Sequence, residues 1–153
     1  MKIVLLSLML VLAGCSSTQT STETTAAVAN SDTMEIIRRA AEQAPRGVLG
    51  EYVLHIKATG SQGPFVYLNT ELDYRDPRAI TVALSPNLIP RLEDKYGASP
   101  QEFFTDKTVK VIGKATRVRI DFISEGKRTE KYYYQTHIRL VDISKIEVVD
   151  KSV

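Results

Sequence analysis

The side chains able to do chemistry in this chain are few and scattered. Cys15 is the single thiol, and His55 and His137 are the two imidazoles. A lone cysteine closes no intramolecular disulfide, and the two histidines, far apart in sequence, form no local zinc-ligand set. Asp73, Arg75, Asp76 and Arg78 crowd a polar bend, Asp73-Tyr74-Arg75-Asp76-Pro77-Arg78. It reads first as a salt-bridged turn in which Asp76 caps the chain at Pro77, and second as a recognition site for an acidic partner or a phosphate. Tyr132-Tyr133-Tyr134 suggests stacking against pyranose rings. In a strand, however, Tyr132 and Tyr134 point one way and Tyr133 the other, so at least one face of the triplet is expected in the core. The sequence has no Gly-x-Ser-x-Gly elbow, no Walker A loop and no paired-carboxylate signature. We therefore expect no catalytic residue, no cofactor and no metal site.

What surrounds Cys15 is more specific. Met1 and Lys2 precede Ile3 to Leu12, an apolar run broken only by Ser7, and Leu12-Ala13-Gly14-Cys15 follows directly. The run is too short to span a bilayer but suits the apolar region of an export signal, with small residues before the cut. Ser16 to Thr33 (SSTQTSTETTAAVANSDT) is rich in Ser, Thr and Ala. Such a tract cannot bury enough surface to offset its ordering entropy and is expected to be a flexible tether. At about 18 residues its root-mean-square span is on the order of 20 to 25 Å.

Leu12-Ala13-Gly14-Cys15 resembles the lipobox of bacterial lipoproteins. The resemblance implies cleavage after Gly14, a diacylglycerol thioether on Cys15 and an acyl group, such as palmitate, on the new amine. Several acyl chains anchor a protein stably without a spanning helix. Ser16 and Ser17 stand where an aspartate would favour inner-membrane retention. The implied location is thus the cell envelope, on the outer membrane facing the periplasm if the host is Gram-negative.

The expected division is residues 1–14 as signal peptide, 15–33 as lipidated cysteine and tether, 34–46 as an N-terminal helix and 47–150 as one β domain. Loss of the leader leaves 19 basic against 18 acidic residues, a formal charge of +1. That balance argues against a strongly electrostatic nucleic-acid binder.

Met34 to Ala44 shows helical spacing, with Met34, Ile37 and Ala41 on one stripe, Ile36 and Ala40 beside it, and Asp32 or Ser31 as cap. From Tyr52 the period becomes two. Leu54, Ile56 and Ala58 share a face, Gly60 to Pro64 is turn chemistry, and Val66 and Leu68 alternate against Phe65, Tyr67 and Asn69. Ile80, Val82 and Leu84 mark a third strand. Ser85 and Pro86 read as the start of a helix ended by Gly97. Ala98 to Asp106 reads as a connector in which Phe103 and Phe104 plug the core. Lys107 to Ile123 forms a long strand with a bulge or bend at Gly113, Glu125 to Arg128 a hairpin tip, and Tyr132 to Leu140 the return strand, broken near Asp142.

The fold class expected is mainly β with minor α. The segments VYLNTELDYRDPRAITVALSP, DKTVKVIGKATRVRI and THIRLVDISKIEVV resemble small oligonucleotide/oligosaccharide-binding (OB) domains of exported bacterial proteins. That resemblance implies a five-stranded barrel with one helix between strands 3 and 4, preceded by the N-terminal helix. OB barrels bind on the face of strands 2 and 3 between two flanking loops. Carried onto this chain, the ligand surface would comprise Lys57, Phe65, Tyr67, Asn69 and Thr81, with Lys127 and Arg128 from the late hairpin.

The expected function is a non-enzymatic, lipid-anchored binding or adaptor module of the envelope. Its partners would be the membrane, through Cys15, and an envelope protein or polymer, with nucleic acid disfavoured. Two alternatives stand beside it. One is a small metal-dependent hydrolase of the nuclease type, using Asp73, Asp76 or His137. The other is a structural subunit of an envelope complex.

Overall fold

The computed structural model describes residues 31–149. The lipobox, Cys15 and its lipidation, the signal peptide and nearly all of the tether lie outside the described residues. The described part is mainly β, a sheet of seven strands with three α-helices. The expectation of five strands and one inserted helix is corrected here. The first strand reads as two segments, a short terminal strand is added, and two helices stand between β4 and β5.

Helix α1 spans Thr33–Glu42 and is capped by Asp32, whose carboxylate accepts from the amides of Met34 and Glu35. Its buried positions are Ile36 and Ala40, one helical turn apart, while Met34 is 53% exposed. The inward stripe is thus rotated from the Met34-Ile37-Ala41 reading, with Ile36 and Ala40 in the core and Ile37 packed partly buried at its edge where α1 lies against β5. On the outer side Arg38 pairs with both Glu35 and Glu42.

Strand β1 (Val48–His55) pairs antiparallel with β5 (Thr108–Ser124), and β2 (Ala58–Gln62) pairs antiparallel with β3 (Phe65–Asn69). Between β1 and β2 the chain changes neighbours. Ile56 exchanges hydrogen bonds with the β5 side, its amide to the Lys107 carbonyl and its carbonyl from the Asp106 amide, whereas the Lys57 amide donates to Asn69 of β3. Strand β4 (Ile80–Leu84) lies antiparallel to β3 and parallel to β6 (Lys127–Leu140), and β6 returns antiparallel along β5. A 3-10 turn at Ile143–Lys145, capped by Asp142, leads to β7 (Ile146–Val148), which pairs with β5 at Val109–Val111.

The alternation read from sequence sets the core. Leu54, Ile56, Leu68, Ile80, Val82, Leu84 and Ile138 are all buried in one cluster. Gly113 is not at a bulge, since its ladder with Gly50 is regular. Space explains it: a Cβ there would stand 2.6 Å from Ile138 Cγ2. The irregularity lies farther out, between Asp121 and Ile123. Helix α2 (Ile89–Tyr96) starts later than Ser85 implied, because Ser85 to Leu88 first make a turn, and Gly97 ends it in the left-handed conformation. The expected connector contains helix α3 (Pro100–Phe104), capped by Ser99, with Phe104 fully buried.

Candidate functional site

A lateral groove of about 340 Å³ opens on the outer face of β3, β4 and β6. Alternation accounts for its floor. Where Val66, Leu68, Val82 and Ile138 point into the core, the neighbouring positions Tyr67, Asn69, Thr81 and His137 must point out. One wall is the β2 segment Gly60–Gln62. The opposite side is formed by Ile120 of β5, Gln135 of β6 and Tyr74 of the polar bend.

A chain of hydrogen bonds ties the groove together. The Thr81 hydroxyl donates to Asn69 Oδ1 at 2.8 Å, with both residues buried. Gln135 Oε1 meets His137 Nε2 at 2.7 Å, while its amide nitrogen donates to the Tyr74 carbonyl at 2.8 Å and to the Tyr133 hydroxyl at 3.3 Å. One buried amide thus joins the floor, the bend and the outer part of the β5–β6 hairpin. Tyr67 lies between the rings of Phe65 and His137, tilted against each at 6.3 Å between centroids.

Among the described residues, no Lys, Arg, Asp or Glu lines the groove. Burial, aided by the Arg139 guanidinium, pushes His137 below the usual imidazole range, so this lining residue is neutral at pH 7. The sign for stability follows. The unfolded chain binds the proton more readily than the folded one, so His137 makes stability fall as pH drops below about 6.5 toward the depressed folded value. Melting temperatures measured from pH 7.5 down to pH 5 are expected to decline, and His137→Asn should flatten that decline.

Of the expected ligand surface, Tyr67, Asn69 and Thr81 come together in the groove, and Phe65 stands against Tyr67. Lys57 does not line it and pairs with Glu71 at 2.7 Å. Lys127 and Arg128 lie at the far end of the hairpin, where Arg128 meets Asp121 at 3.1 Å. The polar bend has the geometry of a salt-bridged turn. Asp73 accepts from the Arg75 amide, and Asp76 accepts from both the amide and the guanidinium of Arg78, which holds its carboxyl down at about 2. Among the described residues no three His, Cys, Asp or Glu side chains converge as metal ligands would. The tyrosine triplet alternates as expected, but neither face enters the core. Tyr133 is half-buried beside Gln135, and Tyr132 and Tyr134 are exposed.

Sequence reasoning missed Gly60–Gln62, Tyr74, Ile120 and Gln135 as groove residues. The parity of β6 places Gln135 on the His137 side, opposite Ile138. Nothing local announces that β6 runs parallel to β4, and that pairing is what brings His137 beside Thr81.

These features define a mainly β domain with an uncharged lateral groove. No known protein family's sequence profile matches the chain, and no curated protein matches it. Among solved structures, it is similar to the putative aspartyl-tRNA synthetase from Leishmania major Friedlin, at 13% identity and a TM-score of 0.38. The match covers 76% of this chain and 20% of that one, so the chain spans about a fifth of that protein's length.

Proposed function

We propose that the protein is a lipid-anchored envelope module with an OB-like barrel whose groove binds an uncharged, hydroxyl-rich polymer of the glycan type. The barrel reading is supported by the strand path and by the bend at Ile56-Lys57. Taken as one bent strand, β1 and β2 face β5 with one half and β3 with the other, which would close the sheet on itself. The order is then that of an OB barrel, with β4 and β6 as its parallel pair. Anchoring is supported by the sequence around Cys15 alone.

The observation that carries the ligand class is the neutrality of the groove. A nucleic-acid strand needs cations along its backbone beside stacking rings. Here two tyrosines and an imidazole stand among the amides and hydroxyls of Asn69, Gln135, Thr81 and Ser61, with no lysine or arginine in the lining among the described residues. Asn69 Oδ1 is engaged by Thr81, and its Nδ2 has no partner among the described residues. That leaves a donor for a ligand hydroxyl. The reading is one of binding rather than catalysis, since the acids of the bend are occupied by their own arginines.

The test is titration of the full-length protein with neutral oligosaccharides, such as N-acetylglucosamine oligomers, followed by calorimetry. Tyr67→Ala is expected to weaken binding about tenfold or more, corresponding to about 1.4 kcal/mol. No binding by any neutral oligosaccharide, or tight binding of single-stranded oligonucleotides in its place, would overturn the ligand class.

A further inference from the structure

We propose that the outer part of the β5–β6 hairpin is a membrane-docking arm that lies on an anionic lipid surface, independently of any lipid on Cys15. Among the described residues, β5 beyond Ala115 and β6 before Thr136 pair only with one another. From Thr116 to Ser124 the ribbon extends about 25 to 30 Å at ~3.3 Å per residue. The turn at its end, Glu125-Gly126, has both residues at positive φ, the tight two-residue form that continues the strand twist.

A free two-stranded ribbon is marginal in water, and this one is stiffened by its side chains. The Arg117 guanidinium lies 3.6 Å from the Tyr134 ring centroid and that of Arg119 lies 4.1 Å from Tyr132, while the two rings meet edge to face. Asp121 receives both Arg119 and Arg128, at 2.8 and 3.1 Å. Arg117 has no carboxylate partner among the described residues.

Charge and apolar exposure coincide here. Between Thr116 and Gln135 stand Arg117, Arg119, Lys127, Arg128 and Lys131 against Asp121, Glu125 and Glu130, a net +2 that equals the formal charge of the whole chain. On the arginine face Ile123 is 64% exposed, while Phe122 packs beside Tyr133 on the other face. Ile123 pairs with Arg128, where uninterrupted pairing would put Glu130, so the irregular register sets an aliphatic side chain opposite a cation. Arginine and tyrosine at headgroup level, with an aliphatic group beside them, are what the interface of an anionic bilayer accommodates. A nucleic acid would meet the cations equally well but offers no aliphatic hydrocarbon to Ile123. Glu125 keeps the tip in water, so the ribbon lies along the surface instead of piercing it.

The test uses the full-length chain carrying Cys15→Ala and Ile123→Cys, labelled with a polarity-sensitive dye, beside the same chain labelled through Asp94→Cys on α2. The second label reports any approach that the N-terminal residues bring about. Vesicles of phosphatidylcholine with phosphatidylglycerol should shift the Ile123-site dye to the blue and shield it several-fold from an aqueous quencher, with the Asp94-site dye unchanged. Molar salt should abolish the shift. Arg117→Glu with Arg119→Glu should abolish it too. Because those arginines also brace the ribbon, Arg128→Gln, on the Ile123 face and leaving Arg119 on Asp121, provides a second variant that should lose most of the shift with an unchanged thermal midpoint. No shift on anionic vesicles, an equal shift on pure phosphatidylcholine, or a shift produced by oligonucleotide or polyglutamate but not by vesicles would each overturn the proposal. Glycan titration of the Arg128→Gln variant separates this outcome from the groove reading, since Arg128 lies outside the groove.

Discussion

Phe104→Ala is expected to lower the free energy of unfolding by about 3–5 kcal/mol, the range for a large aromatic removed from a core. Phe104 is fully buried, and it stands edge to face against Tyr96 at 5.6 Å and against Phe103 at 5.0 Å. Those rings stack in turn at 3.9 Å, so Phe104 joins the α2–α3 pair to the sheet. Its loss removes the transfer energy of the ring and leaves a cavity that two short helices and a rigid sheet cannot both close. For a domain of this size the melting temperature should fall by roughly 12–20 °C. Phe103→Ala should cost less, about 1 kcal/mol, because that ring is only half-buried and Lys107 covers it on the solvent side. Urea titrations of the two variants check the contrast. A Phe104→Ala cost within about 1 kcal/mol would mean that the helices are an appendage and not a wall of the core.

Gln135→Leu should damage both stability and binding. The side chain keeps its volume, so packing changes little. The polar groups that it serves are left behind: His137 Nε2, the Tyr74 carbonyl and the Tyr133 hydroxyl. A buried group stripped of its partner costs about 1–3 kcal/mol, and at least one of these becomes uncompensated, so about 2 kcal/mol is expected. The same change unties the polar bend and the hairpin from the groove floor. Hydrogen exchange at amides near Tyr74 and Tyr133 should therefore accelerate, and glycan affinity should fall, although Tyr67, Asn69 and Thr81 are untouched. Gln135→Glu tests the direction of the contact. It retains an acceptor for His137 but cannot donate to the Tyr74 carbonyl, so it should loosen the bend while raising the affinity of His137 for a proton. Unchanged exchange at Tyr74 in both variants would show that Gln135 fills space without bracing the site.

Much of this architecture is legible in the order of residue types, because a strand has a period of two and a one-residue error reverses both faces. Val66 and Leu68 against Tyr67 and Asn69, or Val82 against Thr81, fix which face each side chain joins, although Asn69 and Thr81 are themselves buried in the groove floor. Asp32 is a readable cap because the first amides of a helix need an acceptor. Gly97 is a readable stop because its left-handed conformation costs any other residue more. Gly113 misled because a glycine in a strand can mean a bulge or a near neighbour, and the neighbour, Ile138, lies on another strand. Ser85 misled for a related reason, as its hydroxyl turns to Asn87 and a turn intervenes before the helix.

The sequence alone thus decides which side chains leave the core and offers Tyr67, Asn69 and Thr81 as a surface, since these follow from alternation along a single strand. It does not decide what that surface faces. The parallel pairing of β4 with β6 supplies His137 and Gln135, and the antiparallel return along β5 supplies Ile120. Gln135 then draws in Tyr74 from a bend that reads as plain turn chemistry. These contacts join segments far apart in the chain, and long-range pairing is set by the packing of the whole core and not by any local preference. The same holds for the hairpin arm. Its residues read as strand, but its exposure depends on where β1 and β4 stop pairing with β5 and β6.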